Sequence, residues 1–170
     1  PELTGLSEID FDIAMMEKSG FNVVRIGNGC WNIIERSKGL FDFSFYHAIL
    51  KKLSKKNIGV IFSLPIFFPP IWLWAEIGKR GREKAICLSD IEYINFSFYM
   101  VKKVIEAFDG YNNILYWETA FPESDDCFCE ECRKKFASFL SNKYKGSIER
   151  LNFTLNNSAE DVVYSSFEEL

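Results

Sequence analysis

Three short apolar runs, Phe21–Gly27, Ile58–Leu64 and Asn113–Trp117, recur along the chain at intervals far too long for hairpins. Strands that are apolar almost throughout are covered on both faces, and long intervals between them leave room for crossover helices. The intervals carry helical patterning. Ser7-Glu8-Ile9-Asp10 is close to a capping box, Ile9, Ile13 and Met16 follow at helical spacing, and Gly20 suits a left-handed stop. Asp42 is placed to cap a helix running through Lys56, with Phe45, Ile49 and Leu53 as its stripe and Asn57 as its end. Asp90 or Asn95 opens another through Phe108, with Met100, Val101, Val104 and Ile105 inward. Cys129–Lys143 reads as a further helix, and the tail from Ser147 is weakly helical with an acidic end. Regular alternation of this kind predicts an α/β fold with a parallel sheet.

Three strands cannot close a barrel, so the chain is expected to be part of a larger (β/α) barrel or of a sheet that continues elsewhere. Its 170 residues suffice for a single domain over residues 1–170. A hydrophobic content of 48%, with 16% aromatic residues, excludes disorder and suits a core, a ligand cleft or both. The net charge is −4, and Lys51, Lys52, Lys55 and Lys56 read as a solvated helix face, not the concentrated basic footprint that nucleic acid requires. Ile58–Ala75 is the longest strongly apolar run, but Pro65, Pro69 and Pro70 make it a poor membrane helix. No signal peptide is visible, the first residue, Pro1, reads as that of an excised or processed chain, and the expected location is cytoplasmic. The sequons at Asn95, Asn152 and Asn156 are triplets of a kind common by chance. The connection Pro65–Ser89 is long and irregular, as functional loops often are.

Cys127-x-Cys129-x-x-Cys132 places three thiols within six residues, the last near the start of a helix whose positive end favours thiolate. Zinc takes four ligands tetrahedrally at roughly 2.3 Å from sulfur, and one short segment does not easily span all four corners. Cys87 is the natural fourth ligand. It follows one strand's long loop, the cluster follows the next strand, and in a parallel sheet both loops emerge on one side. A disulfide pair and plain buried thiols are the competing readings; Cys30 makes the total five, odd for a disulfide framework. Four protein ligands leave no open position, so the expected Zn²⁺ is structural, a staple between loops. Cys30 then reads as an ordinary core or loop thiol, and His47, on a lysine-rich helix, as a surface residue.

Several segments together resemble the glycoside hydrolase family 42 β-galactosidases. Asp12–Gly27 is similar to the family's first helix and second strand; Trp31, Glu35, Gly39 and Phe41-Asp42-Phe43 to its next loop; and Pro69-Pro70-Ile71-Trp72-Leu73 to its Pro-Pro-x-Trp-Leu segment. Cys87, Cys127, Cys129 and Cys132 fall where many members carry a structural zinc. The resemblance runs from about Ile9 to Tyr144. It implies the second to fourth strands of a (β/α)8 TIM barrel, roughly its first half, with the active site at the carboxyl ends of the strands. It further implies retaining hydrolysis of terminal β-D-galactosides, with an acid/base glutamate after the fourth strand and a nucleophilic glutamate after the seventh. Retention requires the two carboxyls about 5–5.5 Å apart, and this chain has no position for the nucleophile.

In the family, the fourth strand's Trp is followed by three variable residues and Asn-Glu. Here Trp117 is followed by Glu118-Thr119-Ala120-Phe121-Pro122-Glu123, with Phe121-Pro122 where Asn-Glu is expected. Counting forward from Trp117 favours Glu123 as the catalytic carboxylate; counting back from Cys127 favours Glu118. A strand-end carboxylate paired with an arginine is the structural alternative for either. Asn28, Trp31, Glu35, Trp72 and Arg82 lie on loops of the same side and are candidates for the sugar subsite, with the tryptophans offering flat apolar faces or packing between barrel and helices. Arg25, inside a strand, is expected to pair with a carboxylate in the barrel interior. The expected partners are a β-galactoside-like carbohydrate and either the remainder of the barrel or further copies of the chain. The alternative function is a non-catalytic barrel relative or fragment that keeps the structural zinc and has lost the catalytic Asn-Glu pair.

Overall fold

The stripe of Ile9 and Ile13 does what its spacing predicts: both are buried on one side of α1 (Leu6–Lys18), while Phe11 and Met15 stay exposed. Gly20, at φ +78°, ends the helix and turns the chain into β1 (Val23–Ile26). A computed structural model defines the fold, describing residues 6–77, 87–119, 127–156 and 163–169. Arg82, Phe121, Pro122 and Glu123 lie outside the described residues.

After β1 comes a single helical turn, α2 (Trp31–Ile34), which the sequence pattern does not reveal. Helix α3 spans Ser44–Lys55. It begins later than its expected start because Asp42 accepts the Ser44 N–H at 2.9 Å in a local turn and leaves Phe43 as the cap position. Tyr46, Ile49, Leu50 and Leu53 form its buried face, while Phe45 is only half-buried. Asn57, at φ 55°, closes it before β2 (Gly59–Ser63).

The connection expected to be irregular contains α4 (Ile71–Ile77). Pro70, just before it, lacks an N–H that a helix start can spare, and its carbonyl accepts the N–H groups of Leu73 and Trp74 at 3.0 and 3.2 Å. Asp90 settles the start of α5 (Ile91–Phe108), accepting from the N–H groups of Glu92 and Tyr93 at 2.9 and 3.3 Å. Met100 and Val104 of α5 are buried as expected, whereas Val101 is half-buried and Ile105 is exposed. Strand β3 (Ile114–Glu118) is followed by α6 (Glu130–Lys143), α7 (Ile148–Asn156) and a 3-10 turn at Phe167–Glu169. The side-chain amide of Asn152 bonds both backbone groups of Tyr164, at 2.8 and 3.0 Å, and ties the tail to α7.

The sheet order is β1-β2-β3, parallel throughout, with Ile26 opposite Phe62 and Phe62 opposite Trp117. A bulge between Val60 and Ile61 shifts the β2–β3 register. Ile26, Val60 and Phe62 are buried under the helices, where Phe108 of α5 is the aromatic hub, its ring 5.2 Å from Phe62 and 5.6 Å from Phe43. Because side chains alternate along a strand, Arg25, Ile61, Ser63 and Glu118 stand on the opposite face. The outer strand β3 leaves Leu115, Tyr116 and Trp117 at 49, 68 and 37% exposure. Three parallel β-strands with helical crossovers are what one arc of a (β/α) barrel would show.

Gly27 fixes how closely β1 and β2 approach at their carboxyl ends. Its φ is +95°, and a Cβ there would lie 2.6 Å from the Ser63 carbonyl oxygen and 2.8 Å from the Phe62 ring. Gly27→Ala combines left-handed strain with a backbone clash and is expected to destabilise the protein by about 2 kcal/mol or more. Thermal unfolding of the intact protein, against Gly20→Ala as a strained but unobstructed control, measures the difference.

Candidate functional site

Each of the three strands delivers one polar side chain to the same place. Glu118 Oε2 accepts from Ser63 Oγ–H at 2.5 Å and from Arg25 Nε–H at 2.5 Å, and Arg25 Nε lies 3.1 Å from Ser63 Oγ. The register explains the convergence: Ser63 pairs with Glu118, and the Glu118 carbonyl accepts the Leu64 N–H at 2.8 Å. The Ser63 hydroxyl and the Arg25 guanidinium hold the Glu118 carboxyl below the usual carboxylate range, against the opposing effect of burial. Glu118 is therefore an anion across the physiological range. Arg25 pairs with a carboxylate on the face away from the helices, as its place inside a strand suggests. Ser63 is the member that sequence reasoning misses; its one signal is a hydroxyl at the end of an otherwise apolar strand.

The loop after β1 is organised by Glu35, which is buried. Its Oε2 accepts from Trp31 Nε1 at 2.9 Å, its Oε1 accepts from the Gly39 N–H at 2.8 Å, and its carbonyl accepts from Trp72 Nε1 at 3.1 Å. Trp31 is fully buried against Tyr93, with ring centroids 6.1 Å apart, and presents no open face to a sugar. Trp72 is half-buried, with Phe96 edge-on at 5.6 Å and Lys38 Nζ 5.7 Å from its ring centre. Asn28 is exposed between Gly27 and Gly29 at the carboxyl end of β1. Thus Trp31, Glu35 and Trp72 come together as one packed unit, and Asn28 stands apart from it in solvent.

Beyond the ends of β2 and β3 lies an apolar cavity of about 340 Å³ lined by Leu64, Phe67, Leu88, Tyr93, Phe98 and Thr119. Its polar groups are turned inward: Tyr93 donates to the Ile66 carbonyl, and Ser97 to the Tyr93 carbonyl at 2.8 Å. Burial pushes the Tyr93 phenol up to about 12, so it stays neutral and is no proton shuttle. His47 is not the surface residue expected. It is half-buried, 2.9 Å from the Tyr111 hydroxyl and edge-on to Phe108 at 5.1 Å.

The four cysteines converge as the loop argument requires. Cys87 Sγ lies 3.2 Å from Cys132 Sγ and 3.7 Å from Cys129 Sγ, and all four sulfurs, with Cys127, lie within 4.8 Å of one another. No pair among the five cysteines is a disulfide. Cys129 is the cap position of α6 and Cys132 lies in its first turn, while Lys135 from the same helix donates to the Ser89 carbonyl beside Cys87. The Cys132 backbone N–H draws the Cys129 thiol down to about 7, whereas burial and then the neighbouring thiols push Cys132 up to about 12. Burial raises Cys87 as well. Thiols this close oppose one another's ionisation, and a divalent cation is what would let several ionise together. Sulfurs about 2.3 Å from a tetrahedral centre stand roughly 3.8 Å apart, so the donor set fits Zn²⁺.

The sequence profile of glycoside hydrolase family 42, described as beta-galactosidase, matches residues 1–170. Beta-galactosidase YesZ of Bacillus licheniformis is 28% identical over 185 residues, covering 100% of this chain and 28% of that protein. Beta-galactosidase Bga of Halorubrum lacusprofundi is 25% identical over 186 residues, covering 100% and 26%. Among solved structures, the polyextremophilic beta-galactosidase from the Antarctic haloarchaeon Halorubrum lacusprofundi superposes with a TM-score of 0.85 at 24% identity, over 100% of this chain and 28% of that one. The beta-galactosidase from the psychrophilic Marinomonas ef1 gives 0.83 at 24%, with the same coverage. These likenesses establish the fold, that of the (β/α) TIM barrel. The chain spans only about a quarter of the length of the curated relatives it matches.

Removing the Glu35 carboxylate strands two donors, one of them on a fully buried tryptophan. Glu35→Ala is expected to cost about 1–3 kcal/mol, read from the denaturation midpoint of the intact protein.

Proposed function

This chain belongs to glycoside hydrolase family 42, and on that premise we propose that it forms the N-terminal part of a retaining β-galactosidase acting on terminal β-D-galactosides. The observation that carries this reading is the polar constellation of Arg25, Ser63 and Glu118 at the carboxyl ends of adjacent parallel strands, where a (β/α) barrel builds its active site. Residues 1–170 form one domain that the remainder of the barrel completes, covering Leu115 and Tyr116 of β3. That remainder supplies the nucleophilic carboxylate, which must stand about 5–5.5 Å from the acid/base.

Of the two candidate carboxylates, Glu123 takes the role of proton donor. Glu118 is already committed as an anion to a serine and an arginine, and a general acid must enter the reaction protonated. Asn28, Trp72 and Arg82 belong to the sugar subsite, and Trp31 and Glu35 form the packed wall behind Trp72. Cys87, Cys127, Cys129 and Cys132 hold a structural Zn²⁺ that staples the loop after β2 to the start of α6. No described helix is long and apolar enough to cross a membrane, and five cysteines with no disulfide among them suit the reducing cytoplasm.

A second reading has its own observation. Phe121-Pro122 stands where the family pattern calls for Asn-Glu, as in a barrel that binds carbohydrate without cleaving it. A nitrophenyl β-galactoside assay on the intact gene product separates the two. Turnover is expected, and Glu123→Gln should lower kcat about 10²- to 10⁴-fold. Galactoside binding without turnover establishes the non-catalytic reading instead. Metal analysis should find about one equivalent of zinc per chain, lost together with several degrees of melting temperature in Cys87→Ser. Less than half an equivalent, with Cys87 open to alkylation, rules the zinc out.

A further inference from the structure

Among the described residues, Glu118 is engaged through only one of its oxygens. Oε2 accepts from both Ser63 and Arg25, whereas no described residue donates to Oε1, and the Glu118 side chain is 34% exposed. Arg25 is equally one-sided: its Nε–H is shared between Ser63 Oγ and Glu118 Oε2, no described residue accepts from its terminal nitrogens, and its side chain is 50% exposed. Ser63 is fully buried and gives its single hydroxyl proton to the carboxylate, leaving its lone pairs to Arg25. A partly exposed ion pair adds little to folding. A buried serine that orients such a pair from the neighbouring strand instead fixes where a charged acceptor points.

The geometry points to Glu118 as a substrate-positioning carboxylate: an anion oriented by Ser63 and Arg25 that accepts hydrogen bonds from hydroxyls of the galactosyl ring through Oε1. The inference rests on the carbohydrate-binding part of the proposed function and adds to it a residue whose role is to grip the sugar and not to protonate the leaving group. Hydroxyl groups are donors, and a hydrogen bond to an ionised acceptor is about twice as strong as a neutral one. An anion on the barrel axis side also favours the positive charge that develops on the sugar in an oxocarbenium-like transition state. Ser63 and Arg25 are positioning residues, since each acts on the ring through Glu118.

The test uses the intact protein, with galactose binding measured by calorimetry and turnover measured on dinitrophenyl and methyl β-galactosides. Glu118→Gln keeps the shape and removes the charge. It should weaken galactose binding, or raise KM, by about 10- to 100-fold. Loss of kcat, where there is any, should be the same for both leaving groups. Ser63→Ala should reproduce part of that weakening, and Arg25→Lys should retain more affinity than Arg25→Met. Loss in Glu118→Gln confined to the methyl galactoside, with the dinitrophenyl substrate spared, would identify Glu118 as the proton donor and overturn the inference. Unchanged galactose affinity in Glu118→Gln overturns it too, while leaving the hydrolase reading intact. A wild-type protein that binds galactose through Glu118 but turns nothing over upholds the inference and sinks the hydrolase. A wild-type protein that binds no galactoside removes both.

Discussion

Parallel pairing of β1, β2 and β3 is the constraint on which everything else in this molecule rests. Because the strands run the same way, every loop that follows a strand leaves the sheet on the same side. That single fact brings Cys87, which follows β2, to the cysteines that follow β3, and sets Arg25, Ser63 and Glu118 side by side. An antiparallel neighbour would have sent one member of each set to the far end. The pairing is in turn held by what lies beneath it: Ile26, Val60 and Phe62 are buried in one core with residues of α3 and α5, and the Phe108 ring packs against Phe62. Gly27 matters for the same reason. It lets the end of β1 come within reach of the Ser63 carbonyl, so the strands approach closely beside the Arg25, Ser63 and Glu118 set.

Much of this was legible in the residues, and the parts that were not share a cause. Apolar runs and helical stripes report burial averaged over several residues, so the alternation, the parallel sheet and the order of elements could be read directly. The inward residues of α5 were less so. Ile105 follows the hydrophobic stripe yet is exposed, because a stripe fixes a face and not how far the neighbouring elements extend over it. Helices α2 and α4 escaped notice because each is only a turn or two and sits among prolines, glycines and tryptophans that read as loop. The cysteine cluster was visible because three thiols stand within six residues, and spacing plus topology leave few choices for a fourth. Ser63 was invisible for the opposite reason. One serine at the end of an apolar strand carries no pattern, and its role exists only once β3 lies beside it.

The tryptophans show how differently one residue type is used on the same side of the sheet, Trp31 being fully buried and Trp72 half-buried. Trp31 and Trp72 are on the correct side of the sheet for a sugar platform, and a flat apolar ring is the right chemistry. Both indole N–H groups, however, are claimed by Glu35, one by its carboxylate and one by its carbonyl. A buried indole needs an acceptor, and a buried carboxylate needs donors. Glu35 and the two tryptophans satisfy one another, with Gly39 completing the set. The indole N–H groups and the Glu35 carboxylate are thus consumed in building the wall, while the Trp72 ring stays half-buried.

Of the two carboxylates that sequence counting could not separate, only Glu118 lies among the described residues. A proton donor must hold its proton until the leaving group needs it, which calls for an apolar or like-charged setting that raises the carboxyl above its usual range. Glu118 has the reverse setting, with an arginine and a serine hydroxyl converging on one oxygen, and lies below that range. The same two partners converge on Oε2 and leave Oε1 without a donor among the described residues. An oxygen held that way suits the inferred role of Glu118, since the hydroxyls of a sugar ring are donors.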